Sequence, residues 1–470
     1  MSSVAVRNTL ATFVELICAG DQEGLTQAAH EAIARAEDAS ELIGQIGLIA
    51  MQGDREGHAV LTLGAASMLC RWLIALRHVM GQNIQDQVLG ISLIVQALMA
   101  VAPAVRAGKD APQNYPQPLF PGEISTEATA VGTALQKAVF GRDARMLERI
   151  LFGLFGTGAD YRALTVRLYQ GIGQTFQEDG HTLLMALRGS QVLDAVEWSE
   201  DTPHYLHWLA PHLPLHTEEP SWIEMVRIFL NEPRHSLDSY RVRLAAPRNQ
   251  NALPLRALLR NAASTQEVCQ GVYDALITNG ASARAVGSVI ALAACDLVQS
   301  ISDEDRALFV RASHGLLYAS ATRIVYTKVQ EVEALPLLFT AAAYINALTK
   351  DLSKATGQRP TTQATRAGGG MIAPSLLENL SAQIAAQDIG GAMATVRRYN
   401  QLGHDKQALC AVIGLGAAHA DATADQGHTL QIVQAAGDEY LAWPSELAST
   451  DIEGFVLVAL RAAALATRNL

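Results

Sequence analysis

The chain has 470 residues, 49% of them hydrophobic and 17% charged, so much of it must be buried in one large domain or two closely packed halves. Its net charge is −11 and no basic stripe stands out, which excludes the usual electrostatic footprint for nucleic acid. The five cysteines are scattered through apolar stretches without a C-x-x-C pair, which excludes a disulfide framework and favours a reducing compartment.

The first part of the chain is predicted to be helical, because apolar residues recur there at a period near 3.6. Residues 8–36 form one such stretch, interrupted by a turn at Gly20. Residues 38–51 form the next stretch, and a third helix is predicted from the turn at His58 to about Met80.

Neither a secretory signal nor a membrane span is predicted. The N-terminal residues lack the basic, apolar and cleavage regions of a signal peptide. The most apolar run, residues 88–105, contains Gly90, Gln96 and Pro103, which predicts a buried core helix. We therefore expect a cytoplasmic protein with no membrane or nucleic-acid partner.

Two stretches are predicted to be irregular. Residues 103–125 contain five prolines and little periodicity, which indicates a long loop. That loop is either a functional, lid-like segment or a tether between helical units. Residues 354–374 are rich in threonine and glycine, which is typical of a flexible connector, and their glycines lack the spacing of a phosphate-binding loop.

A histidine-rich stretch shortly before the middle of the chain invites a metal interpretation. Its members are His204, His207, His212 and His216. Prolines at 203, 211 and 214 break any shared helical face, and no carboxylate or cysteine lies in register with the histidines. A surface loop is therefore predicted.

No sustained β-alternation occurs, so the fold class is predicted to be all-α. We expect a large multi-helix array, a single domain over residues 1–470 in which four helical units pack around a central metal or substrate cavity. The predicted units are about 1–102, 126–260, 255–350 and 375–470, with loops at 103–125 and 354–374.

Each predicted unit contains one histidine that follows a short polar turn and begins an apolar run. Three of these histidines directly follow a glycine, and the fourth, in the third unit, follows a serine. They are His58, His181, His314 and His428. We interpret the pattern as four helices that bring their imidazoles to a common centre. The alternative is that glycine often precedes a helix and the histidine merely occupies its first turn.

Histidines placed in this way suit a transition metal. The positive end of a helix disfavours the imidazolium form, and neutral imidazole is the form that binds metals. Four imidazoles favour Fe(II), Zn, Cu or Ni over Mg or Ca. Catalysis would also require an open coordination position.

Three segments resemble the questin oxidase-like proteins, some of whose bacterial relatives carry a C-terminal Rieske domain. Residues 313–321 are similar to the T-H-x-L-T-F-A-N-A run of that family, residues 180–184 to its H-P-L-I-H run, and residues 403–406 to its G-H-D-A-K run. The chain departs from these patterns at Thr182, Met185, Tyr318 and Ser320. These departures weaken what the resemblance implies about the substrate pocket more than what it implies about the metal. The cysteine and histidine pattern of a Rieske cluster is absent.

The resemblance implies a non-haem iron oxygenase that acts with dioxygen on an anthraquinone-like aromatic polyketide, by ring cleavage or Baeyer–Villiger-type oxygen insertion. It implies an iron held by histidines and a CO2-modified lysine. Carried over to this sequence, the metal ligands would be His58, His181, His314, His428 and the carbamate of Lys406, with the four histidines at the catalytic centre. His404 and His419 are the alternative ligands nearby.

Two other classes of function stay open from the sequence. One is a metal-free α-helical ligand-binding or scaffold protein. The other is a zinc hydrolase with a carbamylated lysine, for which Lys406 is the sole support.

Overall fold

The computed structural model describes residues 2–34, 38–81, 90–112, 114–119, 123, 125, 127–156, 161–198, 201–235, 237–248, 251–353, 371–447 and 452–467. These residues form helices and connecting segments with no β-strand among them, which confirms the all-α fold class. The helices of the first half are α1 (Ser2–Ala19), α2 (Gln22–Ala34), α3 (Ala39–Met51), α4 (His58–Met80), α5 (Ile91–Ala100), α6 (Ala102–Gly108), α7 (Ala128–Phe140), α8 (Ala144–Gly156), α9 (Tyr161–Ile172), α10 (His181–Ala195), α11 (Thr202–Leu209), α12 (Ser221–Asn231) and α13 (Leu237–Leu244).

The second half continues the array. Its helices are α14 (Pro254–Asn261), α15 (Thr265–Tyr273), α16 (Ala283–Ser300), α17 (Arg306–Val329), α18 (Pro336–Leu352), α19 (Ala373–Ala385), α20 (Ile389–Gln401), α21 (Lys406–Ala417), α22 (His428–Leu441) and α23 (Glu453–Thr467). Short 3₁₀ turns occur at Glu178–Gly180, Ala210–His212, Pro233–His235 and Val332–Ala334, and a π-helical turn at Asp274–Thr278.

Local signals in the sequence explain where the first helices begin and end. α1 and α2 are separated at Gly20, whose φ of 71° ends a right-handed helix. Asp38 caps α3, because its carboxylate accepts the backbone N–H of Ser40 at 2.8 Å. α4 ends at Gly81, with a φ of 70°. The helices predicted in these residues are confirmed.

Two predicted loops are wrong in part, and in both the reason is the position of a proline. Residues 102–108 form α6, with Pro103 in its first turn. Residues 202–209 of the histidine-rich stretch form α11, with Pro203 in its first turn. Proline breaks a helix interior but suits the first turn, where its missing N–H would have no partner. Most of the connector predicted at 354–374 lies outside the described residues.

The apolar run predicted as one buried helix is instead two helices. α5 and α6 meet at Val101 with a bend of 58°. Three further segments are long and apolar enough to cross a membrane by length and composition, namely His58–Met80, Ala283–Ser300 and Val332–Leu352. Between 72% and 89% of their most apolar windows is buried against other helices. The absence of a membrane partner stays a prediction.

Four helices form a ring at the centre of the array. α4 packs against α10, α10 against α17, α17 against α22, and α22 against α4. A second layer surrounds them, in which α3 and α21 cover α4, α16 covers α17, and α23 covers α22. One contiguous apolar cluster extends from Phe13 to Leu465. This ring brings together the helices that carry the four histidines singled out in the sequence.

Candidate metal centre

Three of the four histidines occupy the first position of a helix, directly after a glycine in the left-handed region. The φ angles are 84° at Gly57, 88° at Gly180 and 70° at Gly427. A side chain at such a φ is strained, so glycine is the residue that turns the chain sharply into a helix here. His58, His181 and His428 therefore open α4, α10 and α22 as the sequence predicted.

The same three glycines also leave no room for a side chain. A Cβ atom at Gly57 would lie 2.3 Å from Met185, one at Gly180 would lie 2.2 Å from Tyr318, and one at Gly427 would lie 2.1 Å from Thr62. Each of these contact residues stands four positions after a histidine of the ring. The turn before each of these three histidines therefore packs on the first helical turn after a neighbouring histidine of the ring. This repeated contact sets the four helices at the same level.

His314 does not begin a helix, so that part of the prediction is wrong. It lies within α17, which starts at Arg306. Asp305 caps this helix by accepting the N–H of Leu308 at 3.0 Å. Because Phe309 and Ala312 are buried, residues before His314 continue the helix instead of forming a turn. The dipole argument made for a helix start therefore does not apply to His314.

The structure brings all four imidazole rings together. Ring centroids are 5.1 Å apart for His181 and His314 and 5.1 Å for His314 and His428. The His58 ring lies 5.6 Å from that of His181 and 6.2 Å from that of His428. One nitrogen from each of His181, His314 and His428 lies within 4.8 Å of the other two. His58 is thus the member furthest from the rest.

These separations are close to those required by one bound ion. Bonds of about 2.1 Å place two ligand atoms about 3 Å apart when they are adjacent and about 4.2 Å apart when they are opposite. The Nε2 atoms of His314 and His428 are 3.1 Å apart. The nitrogens of His181, His314 and His428 all lie within 4.8 Å of one another, which is close to this range.

Backbone carbonyls fix the tautomer of two of the rings. Nδ1 of His428 lies 2.5 Å from the carbonyl oxygen of Asp425, and Nδ1 of His181 contacts that of Glu178. A carbonyl can only accept, so Nδ1 carries the proton in both rings and Nε2 of the neutral ring keeps its lone pair. This hydrogen bond to the far nitrogen is the usual way in which a metal-binding histidine is oriented.

The other two rings keep a nitrogen without a partner. Nδ1 of His58 and Nδ1 of His314 are buried and have no hydrogen bond in the described part of the chain. The nearest carboxylate to His58 Nδ1 is that of Glu56, at 3.9 Å.

The surroundings favour neutral imidazoles. Burial, with a smaller contribution from the neighbouring imidazoles, lowers the pKa of His58 to about 4 and that of His314 to about 3. Burial also lowers the pKa of His428, against a hydrogen bond to Asp425 that raises it. At neutral pH these rings are therefore in the form that binds metals.

Lys406 is not part of this cluster, which contradicts the role that the family resemblance implied. It is exposed at the start of α21, and its Nζ lies over the ring of Tyr440, 4.9 Å from the centroid. Tyr440 follows His428 by twelve positions on α22, which corresponds to about 18 Å along the helix axis. The side chain of Lys406 cannot span that separation.

The two alternative ligands also lie elsewhere. Nε2 of His404 is 3.2 Å from the carbonyl oxygen of Met371. His419 lines a groove of about 590 Å³ between α2, α5, α19 and α21. A second groove, of about 510 Å³, is lined by His204 and His207. None of the four clustered histidines lines either groove, and the predicted central cavity stays a prediction.

The sequence analysis missed a buried ionic network deeper in the same ring of helices. Nε of Arg323 donates to Glu439 at 2.6 Å, and the hydroxyl of Ser320 donates to the same carboxylate oxygen at 2.8 Å. Arg188 is also buried, and Asp438 accepts from the amide of Gln434. The signal that was overlooked is the presence of two arginines and two adjacent acids inside otherwise apolar helices.

Burial acts on every charge in this network. It raises the pKa of Asp438 and of Glu439, while Arg323 opposes the shift in both. It lowers the pKa of Arg188 to about 10. The network connects α17 to α22 below the histidines and so fixes the register of two helices that carry them.

Comparisons of this chain with protein-family models, curated proteins and solved structures find no match. The resemblance to questin oxidase-like proteins therefore stays a prediction. The fold and the site together define an all-α protein in which four helices present four imidazoles to one centre.

Proposed function

We propose that this protein binds one divalent iron at the four-histidine cluster and is a non-haem iron-dependent oxygenase. We further propose an aromatic polyketide of the anthraquinone type as its substrate, modified by ring cleavage or Baeyer–Villiger-type oxygen insertion. The observation that carries the metal site is the convergence of His58, His181, His314 and His428 from four separate helices.

A bound cation accounts for the nitrogens better than hydrogen bonds within the cluster. The Nε2 lone pair of His428 faces Nε2 of His314 at 3.1 Å, so a proton or a cation must lie between them. One proton would satisfy that pair and leave Nε2 of His181 unpaired. One cation would satisfy every nitrogen that faces the centre.

The choice of iron rests on the ligand set together with the family resemblance. Imidazole ligands suit Zn, Cu, Fe and Ni. Zinc with four imidazoles would form a closed tetrahedral site without an open position, whereas iron accepts six ligands and keeps two positions for dioxygen and substrate. The zinc hydrolase with a carbamylated lysine loses its support, because Lys406 lies elsewhere.

The metal site is tested on protein purified without oxygen. We expect about one iron per chain by mass spectrometry, and a nitric oxide complex with the paramagnetic resonance spectrum of an open iron site. His314→Ala should lose both. His404→Ala is the matched control, because it removes a partly exposed histidine that follows a glycine but hydrogen-bonds away from the cluster. Wild-type protein that binds no iron, zinc or manganese would favour the metal-free alternative.

The reaction is tested separately on the iron-loaded protein. A panel of hydroxylated anthraquinones is added in ¹⁸O₂, with and without an added two-electron reductant such as ascorbate that insertion of a single oxygen atom requires, and oxygen uptake and product mass are followed. Incorporation of one or two labelled atoms is expected, and their number distinguishes the two modes of oxygen insertion. Bound iron with no oxygen uptake across the panel would contradict the proposed substrate class, and substrate binding without turnover would indicate a ligand-binding protein.

A further inference from the structure

Two aspartates lie beneath the histidine turns without pointing to the centre as ligands. Asp54 precedes His58 by four positions, and its side chain is almost fully buried. Its two carboxylate oxygens accept the backbone N–H of Gly57 at 3.0 Å and of Val60 at 2.9 Å. Its carbonyl oxygen accepts the indole N–H of Trp208 at 2.9 Å. Asp54 is therefore fixed from both its side chain and its backbone.

Asp425 repeats this arrangement before His428. Its carboxylate is 6% exposed and accepts the N–H of Gly427 at 2.9 Å and of Thr429 at 3.1 Å. Its carbonyl oxygen is the acceptor that orients Nδ1 of His428. Within the described residues, this carboxylate pairs with Arg306 at 3.5 Å, whose side chain is 39% exposed.

The equivalent turn before His181 is held by a neutral side chain. Gln177 stands four positions before that histidine, and its amide donates to Thr182 at 3.1 Å and to the carbonyl of Pro214 at 2.9 Å. Its amide oxygen accepts the N–H of His216 at 2.7 Å. Gln177 therefore ties its turn to residues 214 and 216, whereas the buried carboxylates of Asp54 and Asp425 accept backbone N–H groups beside their own histidines.

The negative charge of the two aspartates favours a cation at the centre of the four histidines. Neutral imidazoles bring no negative charge, and the ends of α4 and α22 that face the centre are the positive ends of their helices. A divalent ion placed there is disfavoured unless anions lie close by. Two buried carboxylates in the turns just before these helices supply negative charge for the ion, of which Arg306 offsets a part at Asp425.

We propose that Asp54 and Asp425 are positioning residues of the metal centre, which orient His58 and His428 and neutralise a divalent ion without binding it directly. This inference rests on the proposed metal site. It adds that the affinity of a cluster made of neutral ligands depends on two carboxylates in the turns behind it.

The test compares Asp54→Asn and Asp425→Asn with wild type, using Co(II) as the probe. The isosteric change removes the charge and keeps one of the two oxygen acceptors of each aspartate. We expect each variant to bind Co(II) about 10- to 100-fold more weakly, the range found when groups behind metal ligands are changed. At saturating Co(II) the visible absorption bands should shift for Asp425→Asn, because an NH₂ group in place of one carboxylate oxygen displaces the turn whose carbonyl orients His428.

The matched control is Asp388→Asn. Asp388 caps α20 by accepting the N–H of Gly391 at 2.8 Å, and α20 packs against α19 and α23. This variant should lose a similar amount of metal-free stability and keep wild-type affinity and absorption. If Asp54→Asn or Asp425→Asn does not fold, serine at the same position keeps a capping oxygen without the charge, and glutamate restores the charge.

The outcomes separate this inference from the proposed function. Wild-type protein that binds no Co(II), Fe(II) or Zn(II) would overturn both. Wild-type binding with unchanged affinity and spectra in the aspartate variants would overturn the inference alone, and would leave the two residues as helix caps. Weakened binding in these variants, restored by Asp425→Glu and absent in Asp388→Asn, would support it.

Discussion

The Nε2 atoms of His314 and His428 lie 3.1 Å apart, although the two residues are separated by 114 positions in the chain. No local preference can produce this contact, because one residue lies in the interior of α17 and the other begins α22. The contact depends on the packing of α17 against α22 and on the ionic network below it, in which Arg323 and Glu439 join the same two helices.

The position of each ring predicts a graded response to alanine substitution. His314→Ala should weaken binding of Co(II) or Fe(II) by at least about 100-fold, or ~2.7 kcal/mol, because this ring touches both neighbours at the shortest centroid distance. His58→Ala should cost about tenfold, or ~1.4 kcal/mol, since His58 is furthest from the group. Isothermal titration measures both affinities.

The graded response is contradicted if His58→Ala and His314→Ala are equally impaired. Thermal melting gives an independent measurement, since an ion present at 100 times its Kd stabilises the folded state by about 2.7 kcal/mol. The increase in Tm on adding metal should be lost in His314→Ala and retained in part in His58→Ala.

Helix positions near the candidate site were largely predictable from the sequence, because their determinants are local. A glycine and a polar turn precede His58, the apolar period continues for several turns, and a glycine follows Met80. The three prolines of the histidine-rich stretch predict no helix there, yet α11 forms because Pro203 stands in a first turn, where proline is tolerated.

The convergence of the histidines was predicted from repetition, but the contacts that cause it were not. Periodicity shows which face of a helix is buried and does not show which helix covers it. The packing of Gly180 on Tyr318 and the pairing of Arg323 with Glu439 therefore depend on tertiary structure. The family resemblance implies that Lys406 is a metal ligand because residues 403–406 are similar to a family motif. Similarity over four residues carries no information about the distance between Lys406 and His428.

Gly180→Ala is predicted to destabilise the protein more than Gly20→Ala. Both glycines have a positive φ, 88° and 71°, so alanine is strained at both. A Cβ at Gly180 would also lie 2.2 Å from Tyr318, whereas one at Gly20 would meet nothing within 4 Å. We expect losses in the free energy of unfolding of about 1 kcal/mol for Gly20→Ala and about 2–4 kcal/mol for Gly180→Ala.

Urea unfolding of the metal-free protein measures this difference. Metal affinity should fall in Gly180→Ala, because α10 must move away from α17, and should be unchanged in Gly20→Ala. Equal losses of stability in the two variants would show that backbone strain, and not the contact with Tyr318, dominates at Gly180.

The buried pair of Arg323 and Glu439 is predicted to show strong coupling in a double-mutant cycle. Arg323→Met removes the guanidinium and leaves a fully buried carboxylate, which should cost about 3–5 kcal/mol. The double variant with Glu439→Gln should recover part of this loss, since neither side chain is then charged. The exposed pair of Arg311 and Asp351 is the control, and Arg311→Met should change stability by no more than about 1 kcal/mol. Additive effects at the buried pair would contradict the prediction.

Lys406 provides the last prediction, because the structure and the family resemblance disagree about it. The side chain is exposed and lies over the ring of Tyr440, an interaction worth about 0.5–1 kcal/mol at such sites. Lys406→Ala should therefore lose at most that amount of stability and keep wild-type metal content and affinity. Removal of bicarbonate should not change metal binding in either protein. Loss of metal in both Lys406→Ala and Lys406→Arg, together with bicarbonate dependence of the wild type, would mean that α21 and α22 pack differently when the ion is bound.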